Sequence, residues 1–222
     1  MTTTFLHMAD IHLGYQQYQS AERLKDFSRV FREAIEDAIA KQVDFVLIAG
    51  DLFHKASIDP VTLLQAKGPL DKLRQAHIPA LAISGNHDNL RYGHRFSWLD
   101  YLQADGCLTV LKPTFPKGGP MTLSQANGQS GGYFDLNEVR VVGLSYLGAS
   151  TPTVLEELPS VLAGLPQNDR FTILMAHFGL EGEVPNLNGA ISHHSLAPLK
   201  QHINYTEQHK RITEIGKGEI EQ

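Results

Sequence analysis

The chain has 222 residues, long enough for one large or two small domains with a real core. Apolar residues make up 42% and charged residues 19%, which are globular values and exclude a disordered chain. With 19 Lys and Arg against 24 Asp and Glu, the formal charge of −5 argues against a bulk basic nucleic-acid binder, although metal ions at a site can supply positive charge. Cys107 is the single cysteine, so no internal disulfide can form, and its apolar neighbours predict a buried structural thiol. The first residues carry neither a basic stretch nor a following apolar segment, and no apolar run reaches the ~18 residues of a membrane span. A cytoplasmic protein without a membrane segment is expected.

Phe5 to Ala9 is a short apolar run that predicts the first strand, and Asp10-Ile11-His12-Leu13-Gly14 follows it. Residues 20–40 read as a helix: Leu24, Phe27, Val30, Phe31, Ala34, Ile35, Ala38 and Ile39 recur at three- and four-residue spacing, with Ser20 as cap. Arg23, Lys25, Arg29 and Arg32 lie off that stripe and read as a solvated face. Residues 44–49 form a continuous apolar run, a strand buried on both faces, which ends in Gly50-Asp51-Leu52-Phe53-His54. Asp59-Pro60 opens a second helix with Val61, Leu64, Leu70 and Leu73 on its apolar face, and Gly68-Pro69 predicts a kink or split in it.

Ile78 to Ile83 is the third strand, and Ser84-Gly85-Asn86-His87-Asp88 spills off its end. Glycine permits a sharp turn there; Asn offers a neutral oxygen, His a titratable imidazole, and Asp an anion to orient that imidazole. Arg91 to Arg95 is a small basic and aromatic loop, and a short helix over 96–103 carries Trp98, read as packing. Residues 107–146 alternate short apolar runs (108–111, 121–123, 139–144) with Gly, Pro and Asn clusters, the pattern of antiparallel strands and turns. A helix is expected from Pro152 to about Ala163. Residues 171–176 form a further buried strand ending in His177; residues 182–188 read as a loop, and Ser195 as the cap of a short turn through Leu199. A strand begins at Ile203 and is expected to stop near Tyr205. Residues 206–222 are polar and read as a poorly ordered tail, leaving residues 1–205 as the domain.

Alternating strands and helices predict a parallel sheet with crossovers, whose functional groups gather at strand carboxyl ends. Four predicted strands end in potential ligands: Asp10 and His12, Asp51, Asn86, and His177. Carboxylate and amide oxygens mixed with imidazoles suit Mn, Fe or Zn, and a dinuclear centre that clamps a phosphate is plausible, with Asp51 as its bridging carboxylate.

In order along the chain, Asp10-x-His12, Gly50-Asp51, Gly85-Asn86-His87-Asp88 and Ala176-His177 resemble the motifs of the calcineurin-like metallophosphoesterases. The longer strings around Asp10, Asp51 and Asn86 are similar to the SbcD-type nucleases of double-strand-break repair. The resemblance implies an α/β fold, a four-layer α/β sandwich with two mixed sheets. It also implies two divalent metal ions, Mn first among the candidates: Asp10 and His12 on one, Asn86 and His177 on the other, Asp51 on both. It makes His87 a general acid oriented by Asp88; His54 reads either as a contact to the substrate phosphate or as a solvent-facing turn histidine, and Arg91, with Arg95 and Lys55, reads as a basic residue near the site that would serve a phosphate. Implied partners are DNA, a coiled-coil ATPase of the SbcC type and a second copy of the chain. The family's late Gly-His-x-His has no counterpart after Tyr205, where Thr206-Glu-Gln-His209 stands, so the domain is expected to be C-terminally truncated, without the family's capping region and weakly active. His202 and His209 are the candidate substitutes for the missing imidazoles. The alternatives are a phosphoesterase acting on nucleotides or phosphoproteins, and a non-catalytic binding module.

Overall fold

The computed structural model describes residues 3–16, 21–90, 95–166, 169–181, 190–207 and 217–220. In chain order its elements are β1 (Thr3–Met8), α1 (Ala21–Ala40), β2 (Phe45–Ala49), α2 (Pro60–Gln75), β3 (Ala80–Ile83), α3 (Trp98–Ala104), β4 (Thr109–Val110), β5 (Tyr133–Leu136), β6 (Val139–Leu144), α4 (Thr151–Ala163), β7 (Phe171–Ala176), β8 (Tyr205–Glu207) and β9 (Lys217–Ile220). The chain divides into two compact units, Met1–Val110 with Lys210–Gln222, and Leu111–His209. Each holds one sheet.

In the first unit the strand order is β4-β3-β2-β1-β9, with β1 to β4 parallel and β9 antiparallel to β1. One face of this mixed sheet (Leu6, Met8, Val46, Ile48, Ala80, Ala82) packs with Phe31, Ile35, Leu70 and Leu73 of α1 and α2. On α1, Phe31, Ala34, Ile35 and Ala38 are buried at helical spacing, while Lys25, Arg29 and Arg32 are exposed, as the solvated-face reading requires. In the second unit the order is β5-β6-β7-β8; β5 and β6 form an antiparallel hairpin, and β6, β7 and β8 run parallel. Val154, Leu155, Leu158 and Leu162 of α4 pack with Val142, Leu144 and Leu174. The fold is therefore α/β with two mixed sheets.

Several local expectations change. Helix α2 starts as read, with Asp59 accepting a bond from Thr62 N at 2.8 Å and Pro60 in the first turn, but it runs unbroken through Gly68-Pro69. A proline is hardest on the Cβ of the residue before it, and Gly68 has none. The buried stripe of α2 is Thr62, Ala66, Pro69, Leu70 and Leu73, so Val61 and Leu64 stand on the opposite, exposed side. Helix α3 begins at Trp98 because Ser97 and Asp100 form a reciprocal cap, and Trp98 packs against Tyr101 and the core. Strand β4 pairs parallel with β3, and residues 121–123 supply only an isolated bridge, Thr122 to Thr114. The cap of the 3₁₀ turn His193–Gln201 is Ser192, which accepts from Ser195 N. Strand β8 continues to Glu207, and the tail contributes β9 to the first sheet. Ser20, the loop over 91–94, the loop over 182–188 and residues 208–216 lie outside the described residues.

Cys107 is buried, as its apolar neighbours suggest. Burial first, then the hydrogen bond to Asp105 and the charge of Asp71, push its thiol up to about 12, which keeps it protonated. No helix among the described residues is long and apolar enough to cross a membrane.

The two sides of α2 make a direct comparison. Leu70→Ala, at a site with 0% exposure, should cost about 2–5 kcal/mol in urea denaturation. Leu64→Ala, at 67% exposure, should stay within about 0.5 kcal/mol. Equal costs would mean that Leu64 is covered by something in solution.

Candidate metal centre

The exits of β1 and β2 continue side by side beyond the sheet. Asp10 N donates to Gly50 O at 3.2 Å, His12 N to Asp51 O at 2.9 Å, Leu13 N to Leu52 O at 2.9 Å, and His54 N to Leu13 O at 3.0 Å. This short ladder holds Asp10, His12 and Asp51 in left-handed backbone conformations, with φ of 54°, 50° and 53°. Such conformations cost a non-glycine residue about 1–3 kcal/mol and concentrate at functional sites. Their effect here is to turn three side chains inward together. His12 Nε2 lies 3.7 Å from Asp10 Oδ1 and 3.8 Å from Asp51 Oδ2.

The exit of β3 closes onto Asp51. Gly85 allows this approach: a Cβ there would stand 2.5 Å from Asp51 N and 2.7 Å from its carboxyl carbon. His87 N then donates to Asp51 Oδ1 at 2.9 Å. Asn86, between these two contacts, has an exposed side chain.

Asp88 does not orient His87. Its Oδ2 accepts from Leu52 N at 2.7 Å and Phe53 N at 3.4 Å, and its Oδ1 from Gly85 N at 2.6 Å. The carboxyl is a clasp between the β2 and β3 exits. Burial first, then the charge of Asp51, push it up to about 7, and the three main-chain bonds act in the opposite direction. What fixes His87 is the main-chain oxygen of His54, 2.9 Å from His87 Nδ1. A carbonyl oxygen only accepts, so Nδ1 carries the proton and Nε2 is left as the working nitrogen.

His54 is half-buried and packed among aromatic rings: Tyr15 at 4.1 Å, His87 at 5.1 Å and His12 at 5.3 Å between centroids. Burial, followed by the neighbouring His12, His87 and Lys55, lowers it to about 4. Tyr15 was not assigned a role by the sequence, since nothing in its spacing announces the stack. Lys55 and Arg95 are exposed; Arg91 lies outside the described residues.

His177 belongs to the second unit, buried at the carboxyl end of β7 with Tyr146 edge-on at 6.2 Å. His202 sits in that unit just before β8, against Arg140, Asp169, Arg170 and Thr172 at the amino ends of the parallel strands. It is thus at the opposite end of the parallel strands from His177. His209 lies outside the described residues.

Asp10, His12 and Asp51 each offer a donor atom within 4.8 Å of the others. Two carboxylates buried side by side are costly unless a cation compensates them. Hard oxygens with one imidazole suit a divalent ion of the Mn, Fe or Zn kind, so the donor set fits. Such an ion supplies Lewis acidity toward a phosphoryl oxygen.

The clasp and the close approach are separable. Asp88→Ala should destabilise the fold by about 2–5 kcal/mol, since it strands buried N–H groups at about 1–3 kcal/mol each, whereas His87→Ala should scarcely change the denaturation midpoint. Gly85→Ala should lower Mn²⁺ affinity at least ~10-fold by calorimetry, because the added methyl displaces Asp51. Unchanged stability in Asp88→Ala would show that its main-chain bonds are dispensable.

Residues 3–206 match the family model described as calcineurin-like phosphoesterase. Proteins named DNA double-strand break repair protein Mre11 are similar to parts of the chain. That of Archaeoglobus fulgidus is 41% identical over 107 residues, 48% of this chain and 24% of the relative. That of Haloferax volcanii is 43% identical over 109 residues, 49% and 24%. That of Methanococcus maripaludis is 31% identical over 186 residues, 82% and 45%. The chain thus spans between a quarter and a half of the length of these relatives. With the family match running from β1 to β8, this chain belongs to the calcineurin-like phosphoesterases, a metal-dependent family.

Proposed function

We propose that this chain hydrolyses phosphodiester bonds of DNA as the nuclease domain of a double-strand-break repair protein. The observation that carries the reading is the convergence of Asp10, His12 and Asp51 with His87, whose proton-bearing Nδ1 is held on the His54 carbonyl. The names of the partial relatives support DNA as the substrate. Asp10, His12 and Asp51 hold divalent ion, with Mn²⁺ as the first candidate. The family resemblance assigns a second ion to Asn86 and His177, with Asp51 shared.

The chain's own residues have three tasks in this chemistry. The carboxylates fix the ions against the buried loops and so orient the phosphate. His87, as imidazolium, delivers a proton from Nε2 to the oxygen that leaves phosphorus. The His54 carbonyl keeps that nitrogen aimed outward. A coiled-coil ATPase partner and a second copy of the chain belong to the same proposal, as members of the assembly the resemblance implies.

Duplex DNA, a cyclic nucleotide and a phosphopeptide, compared as substrates at saturating Mn²⁺, test the reading. DNA should be preferred. His87→Ala should lower turnover ~10²–10⁴-fold while Mn²⁺ affinity stays nearly unchanged, and Asp51→Ala should abolish both. Preference for the phosphopeptide or cyclic nucleotide would move the chain to another branch of the family. Loss of Mn²⁺ binding in His87→Ala would make that residue a ligand instead of an acid.

A further inference from the structure

His12 belongs to two donor groups at once. One is the carboxylate-rich group with Asp10 and Asp51; the other is a trio of imidazoles, His12, His54 and His87, whose donor nitrogens also lie within 4.8 Å of one another. The ring centroids are 4.8 Å apart for His12 and His87, 5.1 Å for His54 and His87, and 5.3 Å for His12 and His54. We propose that the trio is a second metal site, taking a borderline transition ion such as Zn²⁺, and that its occupation excludes the arrangement built on Asp10, His12 and Asp51.

Three features point to an ion there. The donors are all imidazole nitrogens, the chemistry that favours Zn²⁺, Ni²⁺ or Cu²⁺ over Mn²⁺ or Mg²⁺. His87 is already set in the ligand tautomer, because its Nδ1 is committed to the His54 carbonyl at 2.9 Å. His54 Nδ1 is sealed from solvent and has no hydrogen-bond partner among the described residues, an uncommon state for a buried imidazole nitrogen. Four-coordinate Zn²⁺ with bonds of about 2.0–2.1 Å needs nitrogens roughly 3.4 Å apart. The trio must therefore close by about an ångström. All three residues are half-buried on loops, outside the close-packed core, so small rotations of His12 and His54 toward a fixed His87 would close the gap.

Exclusion follows from the shared residue His12. An ion on the trio draws His12 away from Asp10 and Asp51 and occupies the Nε2 from which His87 would deliver its proton. The consequence for activity rests on the nuclease reading above; the binding itself does not.

Binding of Zn²⁺ and of Mn²⁺ alone to the full chain separates the two groups, with Co²⁺ in place of Zn²⁺ for its visible absorption. His54→Ala should weaken Zn²⁺ at least ~10-fold and remove the bands of four-coordinate Co²⁺, while Mn²⁺ affinity, read by electron paramagnetic resonance, is retained. Asp10→Ala should do the reverse. His87→Gln should match His54→Ala, and melting curves identify any variant that fails to fold. Zn²⁺ affinity unchanged in both imidazole variants, or Zn²⁺ and Mn²⁺ weakened by the same factor in His54→Ala, would overturn the inference. Zn²⁺ binding that depends on His54 in a chain that neither binds Mn²⁺ nor cleaves DNA would leave this inference standing and remove the nuclease reading.

Discussion

The contact between the β3 exit and Asp51 sets the geometry of everything around it. Gly85 lies so close to Asp51 that no side chain fits between them, and the next residue but one gives its N–H to the same carboxylate. Asp51 is 1% exposed; one of its oxygens accepts the His87 N–H at 2.9 Å and the other lies 3.8 Å from the His12 imidazole. The strained conformations of Asp10, His12 and Asp51 persist because the ladder between the β1 and β2 exits leaves those residues no alternative. The result is that the three side chains converge.

Three carboxylates occupy this small region, and the structure gives them different work. Asp88 spends both oxygens on main-chain N–H groups, so it ties loops together and has little capacity left for an ion. Asp10 and Asp51 turn toward His12 and form with it a candidate chelating group. The division is electrostatic as well as geometric. Like charges this close in a buried setting repel strongly, and an amide cage around one of them is the means available to the chain of adding an anchor without adding a third ligand charge.

Much of the fold is legible in the residues. β2 and β7 announce themselves as continuous apolar runs, and the polar residues that end them are the ones the site uses or the resemblance assigns. Other features depend on information the local sequence does not contain. β4 is two residues long, and its direction is set by the strand it meets. Lys217–Ile220 has no apolar alternation and becomes a strand only through pairing with β1, a case of tertiary context overriding propensity. On α2 the apolar residues lie on more than one side, so counting them could not tell Leu70 from Leu64. Asp88 is the clearest case at the site. Its place next to His87 in the chain suggests a pair, yet in a tight turn successive side chains diverge, and its partners Leu52 and Phe53 lie on the other strand exit.

The His54 carbonyl holds the His87 ring where the sequence offers Asp88, which bears on the proton-donor role proposed for His87. Either partner would fix the proton on Nδ1 and aim Nε2 outward. A peptide oxygen supplies the orientation with only a partial charge. Because that oxygen belongs to His54, the aim of His87 is coupled to the loop that leaves Asp51, and through the Leu13 contact of His54 N to the loop that leaves Asp10. His87, Asp10 and Asp51 are therefore mounted on one hydrogen-bonded frame.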